Sequence, residues 1–525
     1  MKHRFTFFTL TALLALAAAW ATLEITEPPG PVLDPDAMAY LGAGISLAGG
    51  HGLRIPSALW FSADTTAPLS HFPPGFSTTI AAGITAGLTP VNAARFIEAA
   101  AAATTVAFIA FLLFEAGTTI GALTAIVLLA VSPAMVIVHA AVLSEPLFLA
   151  LLACFVWQLA RPRVGETAWR RTLALGALAA AATFVRYAGA SLVVAAMLDA
   201  WLGDDSGLFN HLYIRARRAA IAAAFPVVTI GTWMLLRPRT VGSSGIRSIA
   251  LYSYGLADTF IEGAQTIGRW LSPNVDSLAV IAALAVVMIA ALVTLFANAA
   301  DVQRSVPPDA PCWHRTPVER PLAITALCYA LTLVASRLFA DGAIPFDERM
   351  LAPLLLLATL AVANSLGTLW QSAAWRAAHR VMLAGTIGVV ALWIYGSANV
   401  SAVWVLDYRA DGGDLAGSEW RISPLVDWAA HDGAHAPLYS NWPPAIWFHT
   451  GRAVHELPTD LDAATVALFR EKITSEHGAL ISYSTPSADI VPPDSLAKLA
   501  GLVPVATWPQ GTVWRAAADS ARIHP

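Results

Sequence analysis

The sequence predicts a polytopic α-helical membrane protein with a small α/β domain after its last span. Of 525 residues, 57% are hydrophobic and only 13% are charged, about half the charged share usual in soluble domains. The mean hydropathy of +0.62 agrees. Apolar stretches of the length that crosses the hydrocarbon core as a helix recur about eleven times before residue 405.

These stretches define a transmembrane module over residues 1–404, and the composition then shifts to Asp, Gly, Pro and His over 405–525. The fifth and sixth stretches are short, and one bent hairpin is an alternative to two spans. The predicted spans run near 5–23, 92–115, 118–137, 142–160, 172–185, 187–202, 215–236, 276–298, 320–340, 349–369 and 380–404.

Basic residues concentrate in the loops that face the cytosol if the N-terminus is cytosolic, such as Arg170, Arg171 and Arg217. The bias predicts a multi-pass protein of the plasma (inner) membrane, with loop 24–91 and the C-terminal domain outside the cytosol. A cleaved signal peptide over 1–23 is the alternative for the first segment. Either choice leaves loop 24–91 outside.

Composition also excludes some classes of protein. A formal net charge of −4 provides no basic stripe for a nucleic acid partner. The three cysteines show no CxxC or Cys/His spacing, so we expect neither a disulfide framework nor a zinc site.

The segment after 404 predicts alternating short helices and strands, which is typical of a small α/β domain. His449, Arg452 and His455 are its best polar candidates for contact with an acceptor. We predict helices at 424–431, 460–474 and 493–500, and strands at 437–440, 479–483 and 502–508.

Most ionisable residues beside the spans fall on the predicted outer side. Charges there are costly and commonly functional, so we expect them to line a common cavity. They are Asp34, Asp36, Asp64, His71, His139, Glu145, Arg186, Asp347, Glu348 and Arg349, with Tyr40 and Tyr187 beside them.

Structural roles remain open for several of these residues. Asp34 or Asp36 is suited to cap a helix over Ala37–Ala48, and His71-Phe-Pro-Pro suits a rigid turn into a re-entrant helix. Glu145 and Arg186 suit a buried ion pair that joins helices. The alternative for Arg349 is a side chain that reaches to headgroups, and we interpret Arg95, Asp199 and Arg337 as interfacial anchors.

Five segments of the predicted outer side are, in chain order, LDPDAMAYLGAGISLAGGHGL, HFPPGFSTTIAAG, VLSEPLFLALL, RYAGASLV and FDERMLAPLLLLATL. In this order and on this side, they resemble the GT-C glycosyltransferases that use polyprenyl-phosphate sugars, of the protein mannosyltransferase and aminoarabinose transferase (family 39-like) type. A C-terminal segment, YSNWPPAIWFHTGRAVHELP, resembles the outer domain of bacterial members.

The resemblance implies a transfer of sugar to an extracytoplasmic acceptor hydroxyl on a lipid, glycan or protein of the envelope, with inversion. It implies Asp36 as the catalytic base, with Asp34 as the second choice. Many relatives have two adjacent acids in this loop, whereas a proline separates Asp34 from Asp36 here, so the choice between the two acids stays open. The resemblance assigns the donor phosphate to Arg349, then to Arg186. Substrate contacts fall to His71, Tyr40, His139, Glu145 and Glu348.

The family resemblance implies no essential metal, although the Asp34-Pro-Asp36 spacing leaves a divalent cation open. The expected partners are the polyprenyl-phosphate sugar, membrane lipids and the envelope acceptor. The rival hypotheses are a secondary transporter or lipid flippase, and a non-catalytic envelope-assembly protein. A transporter predicts related halves and charges at the midplane of the bilayer, whereas the charges here cluster at one surface.

Overall fold

The structure is a computed structural model that describes residues 2–161, 167–202, 210–236, 255–273, 318–339, 344–372, 377–431, 436–485 and 491–517. These residues are mostly helical. The helices up to residue 411 are α1 Lys2–Ile25, α2 Pro35–Ala48, α3 Gly75–Thr85, α4 Pro90–Glu115, α5 Thr119–Ala130, α6 Pro133–Ala140, α7 Glu145–Ala160, α8 Thr167–Val185, α9 Ala190–Trp201, α10 Asn210–Leu236, α11 Leu256–Leu271, α12 Glu319–Phe339, α13 Glu348–Ser372 and α14 Ala377–Asp411.

Several helices have the length and apolarity of membrane spans, as expected for a multi-pass protein. Within the described ranges there are six, or seven if α5 and α6 form one span bent by 65°. The bend comes just before Pro133, which lacks a backbone N–H and suits the first turn of a new helix. The six are Phe5–Ile25, Pro90–Glu115, Leu212–Leu236, Glu319–Phe339, Glu348–Gln371 and Leu383–Asp411.

The fourth to sixth predicted spans correspond to helices α7, α8 and α9. Helices α7 and α9 are too short to pass as full spans by length. The chain leaves α8 at Val185, passes Arg186 in an extended conformation, and makes a 3₁₀ turn over Tyr187–Gly189 before α9. The fifth and sixth segments are therefore two helices joined by a tight turn. The predicted span 276–298 lies outside the described residues.

The C-terminal segment forms short helices around a six-stranded sheet. Its helices are α15 Ser418–Arg421, α16 Pro424–Ala430, α17 Pro443–Thr450, α18 Ala463–Ser475 and α19 Pro493–Leu499. The strands of the described chain lie in two regions. Four are in the early loop: β1 Val32–Leu33, β2 Arg54–Ile55, β3 Ser57–Ala58 and β4 Ala67–Pro68. The others are in the C-terminal segment: β5 Gly413–Asp414, β6 Leu438–Ser440, β7 Val454–His455, β8 Ala479–Tyr483, β9 Val503–Trp508 and β10 Gly511–Arg515.

The long early loop contributes a strand to this sheet. The strand order is β3, β7, β6, β8, β10, β9, and the edge strand β3 pairs in parallel with β7. Strand β1 of the same loop pairs in parallel with β5, directly after α14. Because backbone pairing cannot cross a bilayer, the early loop and the C-terminal segment lie on the same side of the membrane.

One hydrophobic core also joins the early loop to the C-terminal segment. Leu33, Leu41 and Phe76 from the early part of the chain belong to the same buried cluster as Leu415 and Ile446. A separate, larger cluster fills the space between the membrane helices. The loop is therefore held by apolar packing as well as by two strand pairings.

The interpretation of Asp199 and Arg337 as interfacial anchors is wrong. Asp199 pairs with Arg171 at 2.9 Å, and both side chains are buried. Arg337 is 2% exposed and pairs with Glu262 at 2.6 Å. A buried charge needs a partner inside the protein, and each of these has one. Arg95 joins α4 to α1, because its Nη2 donates to the Leu23 carbonyl at 2.8 Å.

We predict opposite effects for two Gly→Ala substitutions in membrane helices. A Cβ atom at Gly121 on α5 would lie 2.5 Å from the Ala363 carbonyl oxygen on α13, whereas one at Gly385 on α14 would meet nothing within 4 Å. Alanine favours a helix over glycine by about 1 kcal/mol, but overpacking costs roughly 1–3 kcal/mol. Thermal unfolding in detergent should show a lower midpoint for Gly121→Ala and an equal or higher one for Gly385→Ala. Equal midpoints for the two variants would contradict the close α5–α13 packing.

Candidate active site

Arg349, at the start of α13, lies between three carboxylates. Its Nη1 donates to Asp34 Oδ2 at 2.8 Å, its Nη2 to Asp36 Oδ2 at 3.0 Å, and its Nε to Glu145 Oε1 at 3.1 Å. These residues come from the early loop, the start of α7 and the start of α13, as the predicted sidedness requires. The alternative in which Arg349 reaches to headgroups does not match these contacts.

A second guanidinium extends the cluster. Arg186 forms an ion pair with the same oxygen of Glu145, and its Nη1 donates to Ser144 Oγ at 3.4 Å. The Tyr40 hydroxyl lies 3.1 Å from Ser144 Oγ. Glu145 therefore links both arginines, and the predicted Glu145–Arg186 pair is part of this polar network. We name Asp34, Asp36, Glu145, Arg186 and Arg349 the acid–arginine cluster.

The acids of this cluster stand at helix N-termini, where backbone N–H groups and the helix dipole favour negative charge. Asp34 caps α2, and its Oδ1 accepts the Ala37 N–H at 2.8 Å, with Pro35 in the first turn. The expected capping role of Asp34 is confirmed. Glu145 is the first residue of α7. Asp347 caps α13 by accepting the Met350 N–H at 2.9 Å, which fixes the turn that carries Arg349.

Burial within the cluster decreases from Glu145 to Asp36. The side chains are 2% exposed at Glu145, 16% at Asp34, 24% at Arg349 and 37% at Asp36. Both oxygens of Asp34 are engaged, by Ala37 and by Arg349, whereas only Oδ2 of Asp36 bonds to a described residue. Asp36 is thus the more accessible acid and retains a free oxygen.

The charges and burial of the acid–arginine cluster favour the binding of a proton to one of its carboxylates. Two guanidiniums face three carboxylates, so full ionisation would leave one excess negative charge. Desolvation by burial, followed by the charge of Asp36, raises the pKa of Asp34 to about 7, although Arg349 opposes the shift. Burial also raises the pKa of Asp347. Near neutral pH, Asp34 is therefore poised between its protonated and ionised forms.

Some predicted site residues lie near the cluster and others do not. His71 is exposed at the rim, with its ring 4.7 Å from that of Phe72, which in turn lies 4.8 Å from Tyr40. His139 hydrogen-bonds through Nδ1 to the Met135 carbonyl of its own helix, at 2.9 Å, and not to a cluster residue among those described. Glu348 points to Arg269 on α11, 3.7 Å away.

Glu348 and Arg269 line a cavity of about 230 Å³ beside the cluster. Its other walls come from the break between α5 and α6, the end of α11 and the residue Trp404. Successive helical residues point about 100° apart, so Glu348 and Arg349 face different spaces from adjacent positions. The predicted substrate contact Glu348 therefore does not lie in the same space as the predicted phosphate ligand Arg349.

Sequence reasoning missed three residues around the cluster. Ser144 contacts Tyr40, Glu145 and Arg186, and Met350 Sδ lies 3.1 Å from Arg186 Nη2. Glu98 on α4 is fully buried, and its Oε1 accepts the Leu143 N–H at 3.1 Å. A lone acid within an apolar span was the available signal for Glu98. The Ser-Glu-Pro motif was the signal for Ser144.

The three polar candidates of the C-terminal segment make structural bonds. His449 Nε2 lies 2.8 Å from the Leu415 carbonyl, and Arg452 donates to the Ala429 and Ala436 carbonyls at 2.6 Å. His455 is 3% exposed and stacks on Tyr439. Burial lowers the pKa of both histidines, which keeps them neutral near pH 7.

Asp34 and Asp36 form the acid pair whose spacing leaves a divalent cation open. The described residues contain no group of three or more His, Cys, Asp or Glu side chains arranged to hold a metal ion. One oxygen of Asp34 and one oxygen of Asp36 each accept from the guanidinium of Arg349, which bridges the two acids. The cation that contacts this acid pair is therefore the Arg349 side chain.

The chain shares its fold with two solved membrane proteins, ArnT and an archaeal oligosaccharyltransferase, as the resemblance seen in the sequence predicts. ArnT from Cupriavidus metallidurans matches with a TM-score of 0.59 in its apo state and 0.58 when bound to undecaprenyl phosphate. Identity is 14%, with 99–100% of this chain and 99% of ArnT covered. No protein-family model and no curated protein sequence matches the chain.

An oligosaccharyltransferase from Archaeoglobus fulgidus shares the fold more distantly. Its apo crystal structure matches with a TM-score of 0.51 and 10% identity, over 90% of this chain and 69% of the other. At these identities the likeness establishes a shared fold. Further structures of the archaeal protein include a complex with Zn and sulfate.

We predict that Asp34→Asn flattens the pH dependence of stability. The pKa of Asp34 is near 7 in the folded state against 3.8 without the fold, so the folded protein binds this proton more tightly. Its contribution to stability is complete below about pH 4 and is lost as the pH rises through 7. Asparagine still caps the helix, because its side-chain oxygen can accept the Ala37 N–H.

The measurement is thermal unfolding in detergent from pH 4 to 8, for the wild type, Asp34→Asn and Asp64→Asn. Asp64 is a carboxylate of the same loop with a 74% exposed side chain, and its removal serves as the matched control. Parallel pH profiles for the wild type and Asp34→Asn would refute a proton held at Asp34.

Proposed function

We propose that this protein is a membrane glycosyltransferase that moves a sugar from a polyprenyl-phosphate donor to an acceptor hydroxyl outside the cytosol, with inversion. The acid–arginine cluster is the observation that carries the proposal. It combines a carboxylate able to take a proton with a cation able to stabilise a departing phosphate. A direct displacement at an anomeric carbon needs both.

Asp36 is the proposed base. The acceptor hydroxyl oxygen forms the new bond to the anomeric carbon, the bond from that carbon to the phosphate oxygen breaks, and its electron pair stays on the phosphate. The hydroxyl proton passes to the free oxygen of Asp36. The greater exposure of Asp36 and the engagement of both oxygens of Asp34 support this choice. Asp34 then holds Arg349 and the start of α2 in place.

Arg349 is the proposed phosphate ligand. A guanidinium has five N–H groups, and three of them bond to carboxylates here, which leaves two on Nη1 and Nη2 for a phosphate oxygen pair. Arg186 is more buried than Arg349 and is bound to Glu145 and Ser144. Its positive charge offsets the negative charge of the carboxylates in the cluster. The substrate contacts proposed for His71, Tyr40, His139, Glu145 and Glu348 remain to be tested.

The donor class is supported by the fold. ArnT, whose fold this chain shares along nearly its whole length, has been crystallised with undecaprenyl phosphate. We also propose that the chain has about eleven spans. In this arrangement residues 1–404 form the catalytic membrane module, and residues 405–525 lie outside the cytosol.

Asp36→Asn should lower sugar transfer by at least about 100-fold, because an amide cannot accept the acceptor proton. The assay incubates purified protein with radiolabelled polyprenyl-phosphate sugars and an envelope fraction, and measures transferred label. Asp34→Asn is the matched control and should retain more activity than Asp36→Asn. The reverse order would assign the base to Asp34. Equal turnover by wild type and Asp36→Asn would reject Asp36, and no transfer by wild type with any donor would reject the proposed function.

Topology should place the exposed positions 51 and 475 on the same outer face, and position 170 in the cytosol. In a background without Cys154, Cys312 and Cys328, we expect His51→Cys and Ser475→Cys to react with an impermeant maleimide in intact spheroplasts. Arg170→Cys should react only after permeabilisation. The opposite pattern would reverse the proposed orientation.

A further inference from the structure

Helix α11 lies against the segment that leads into α13, in a region between the predicted spans 215–236 and 276–298. Its buried residues include Thr259, Thr266 and Trp270, while Phe260 and Ile261 face outward. A Cβ at Gly263 would lie 3.2 Å from the Phe346 ring, so glycine permits the close approach of the helix to Phe346.

Two side chains of α11 bind the backbone of Phe346. Glu262 Oε1 accepts the Phe346 N–H at 2.7 Å, and Thr266 Oγ1 donates to the Phe346 carbonyl at 2.6 Å. Residues four apart lie on one face of a helix, so both reach the same peptide segment. The polar backbone atoms of Phe346 thus find partners on another element instead of in a helix of their own.

The bond from Thr266 is informative because a helical threonine commonly donates to the carbonyl four residues earlier. Thr259 on the same helix does so, with its Oγ1 3.1 Å from the Gly255 carbonyl. Thr266 is 2% exposed and donates to Phe346. The hydroxyl is therefore used to hold a different part of the chain.

Arg337 fixes Glu262 from the other side. The pair is 2.6 Å apart, the Arg337 side chain is 3% exposed, and its guanidinium lies over the Phe346 ring at 5.1 Å. A buried arginine with a defined partner allows Glu262 little freedom. Phe346 is thereby held at its N–H, its carbonyl and its ring, three residues before Arg349.

We propose that Thr266 and Glu262 are positioning residues for Arg349. They fix the peptide that enters α13, and the cap at Asp347 transmits this position to the first turn of that helix. The inference rests on the proposed function, in which Arg349 must meet the donor phosphate while bound to three carboxylates. Misplacement of such a group by about 1 Å can cost on the order of 100-fold in rate.

The test compares the wild type with Thr266→Val, which keeps the shape and removes the hydroxyl. Thr266→Ser restores the donor, and Thr259→Val makes the same change at a buried threonine whose hydroxyl donates to the Gly255 carbonyl. Two quantities are measured: kcat and KM for sugar transfer from the polyprenyl-phosphate donor, and hydrogen exchange of the amides at 346–351 in detergent.

Thr266→Val should lower kcat roughly 10- to 100-fold with a smaller change in KM, and should speed exchange at 346–351. Thr266→Ser should restore both quantities, and Thr259→Val should leave both near wild type. Wild-type kcat and exchange in Thr266→Val would overturn the inference, as would equal losses in Thr259→Val. The exchange measurement stands even if the wild type transfers no sugar, so failure of the proposed function and failure of the positioning role are distinguishable.

Discussion

The meeting of Arg349 with three carboxylates is the interaction on which the site depends. Its partners come from the N-cap and first turn of α2 and from the first residue of α7, so three helix starts must converge on one guanidinium. Glu145 is 2% exposed, and leaving its buried charge unpaired would cost several kcal/mol. The cluster therefore demands that α2, α7 and α13 hold their ends within hydrogen-bond distance of one another. The packing of the early loop and the hydrogen bonds from α11 to Phe346 both help to hold these helix starts in place.

Much of the membrane part follows from local properties of the sequence. Apolar length predicts spans, and the six span-length helices observed within the described residues lie where spans were expected. Short runs such as 479–483 predict strands that the structure contains. The joining of Ser57–Ala58 to the sheet was not predictable, because a two-residue strand carries no periodic signal and its partner lies far along the chain. Helix α11 was missed for a different reason: it is amphipathic and carries a helical periodicity, but its 16 residues are too short and too polar to be found as an apolar span.

The site was predictable as a set of residues and less so as a geometry. The sidedness of the spans gathers Asp34, Asp36, Glu145 and Arg349 on one face. Which of them touch depends on the rotation of each helix, and a single position separates Arg349 in the cluster from Glu348 beside a different cavity. Burial of Asp199 and Arg337 also escaped prediction, because their partners Arg171 and Glu262 lie on other helices.

The pairing of β3 with β7 has a consequence for how the protein is made. Ser57 and Glu456, which bond across this edge at 3.2 Å, are 399 positions apart in the chain. At common rates of synthesis the early loop would wait roughly 20 to 80 s for its partner to emerge. During that time its strands and apolar side chains lack their final neighbours. Maturation of the acid-bearing loop is therefore coupled to completion of the polypeptide, and a chain that stops before the sheet is made would leave that loop without its support.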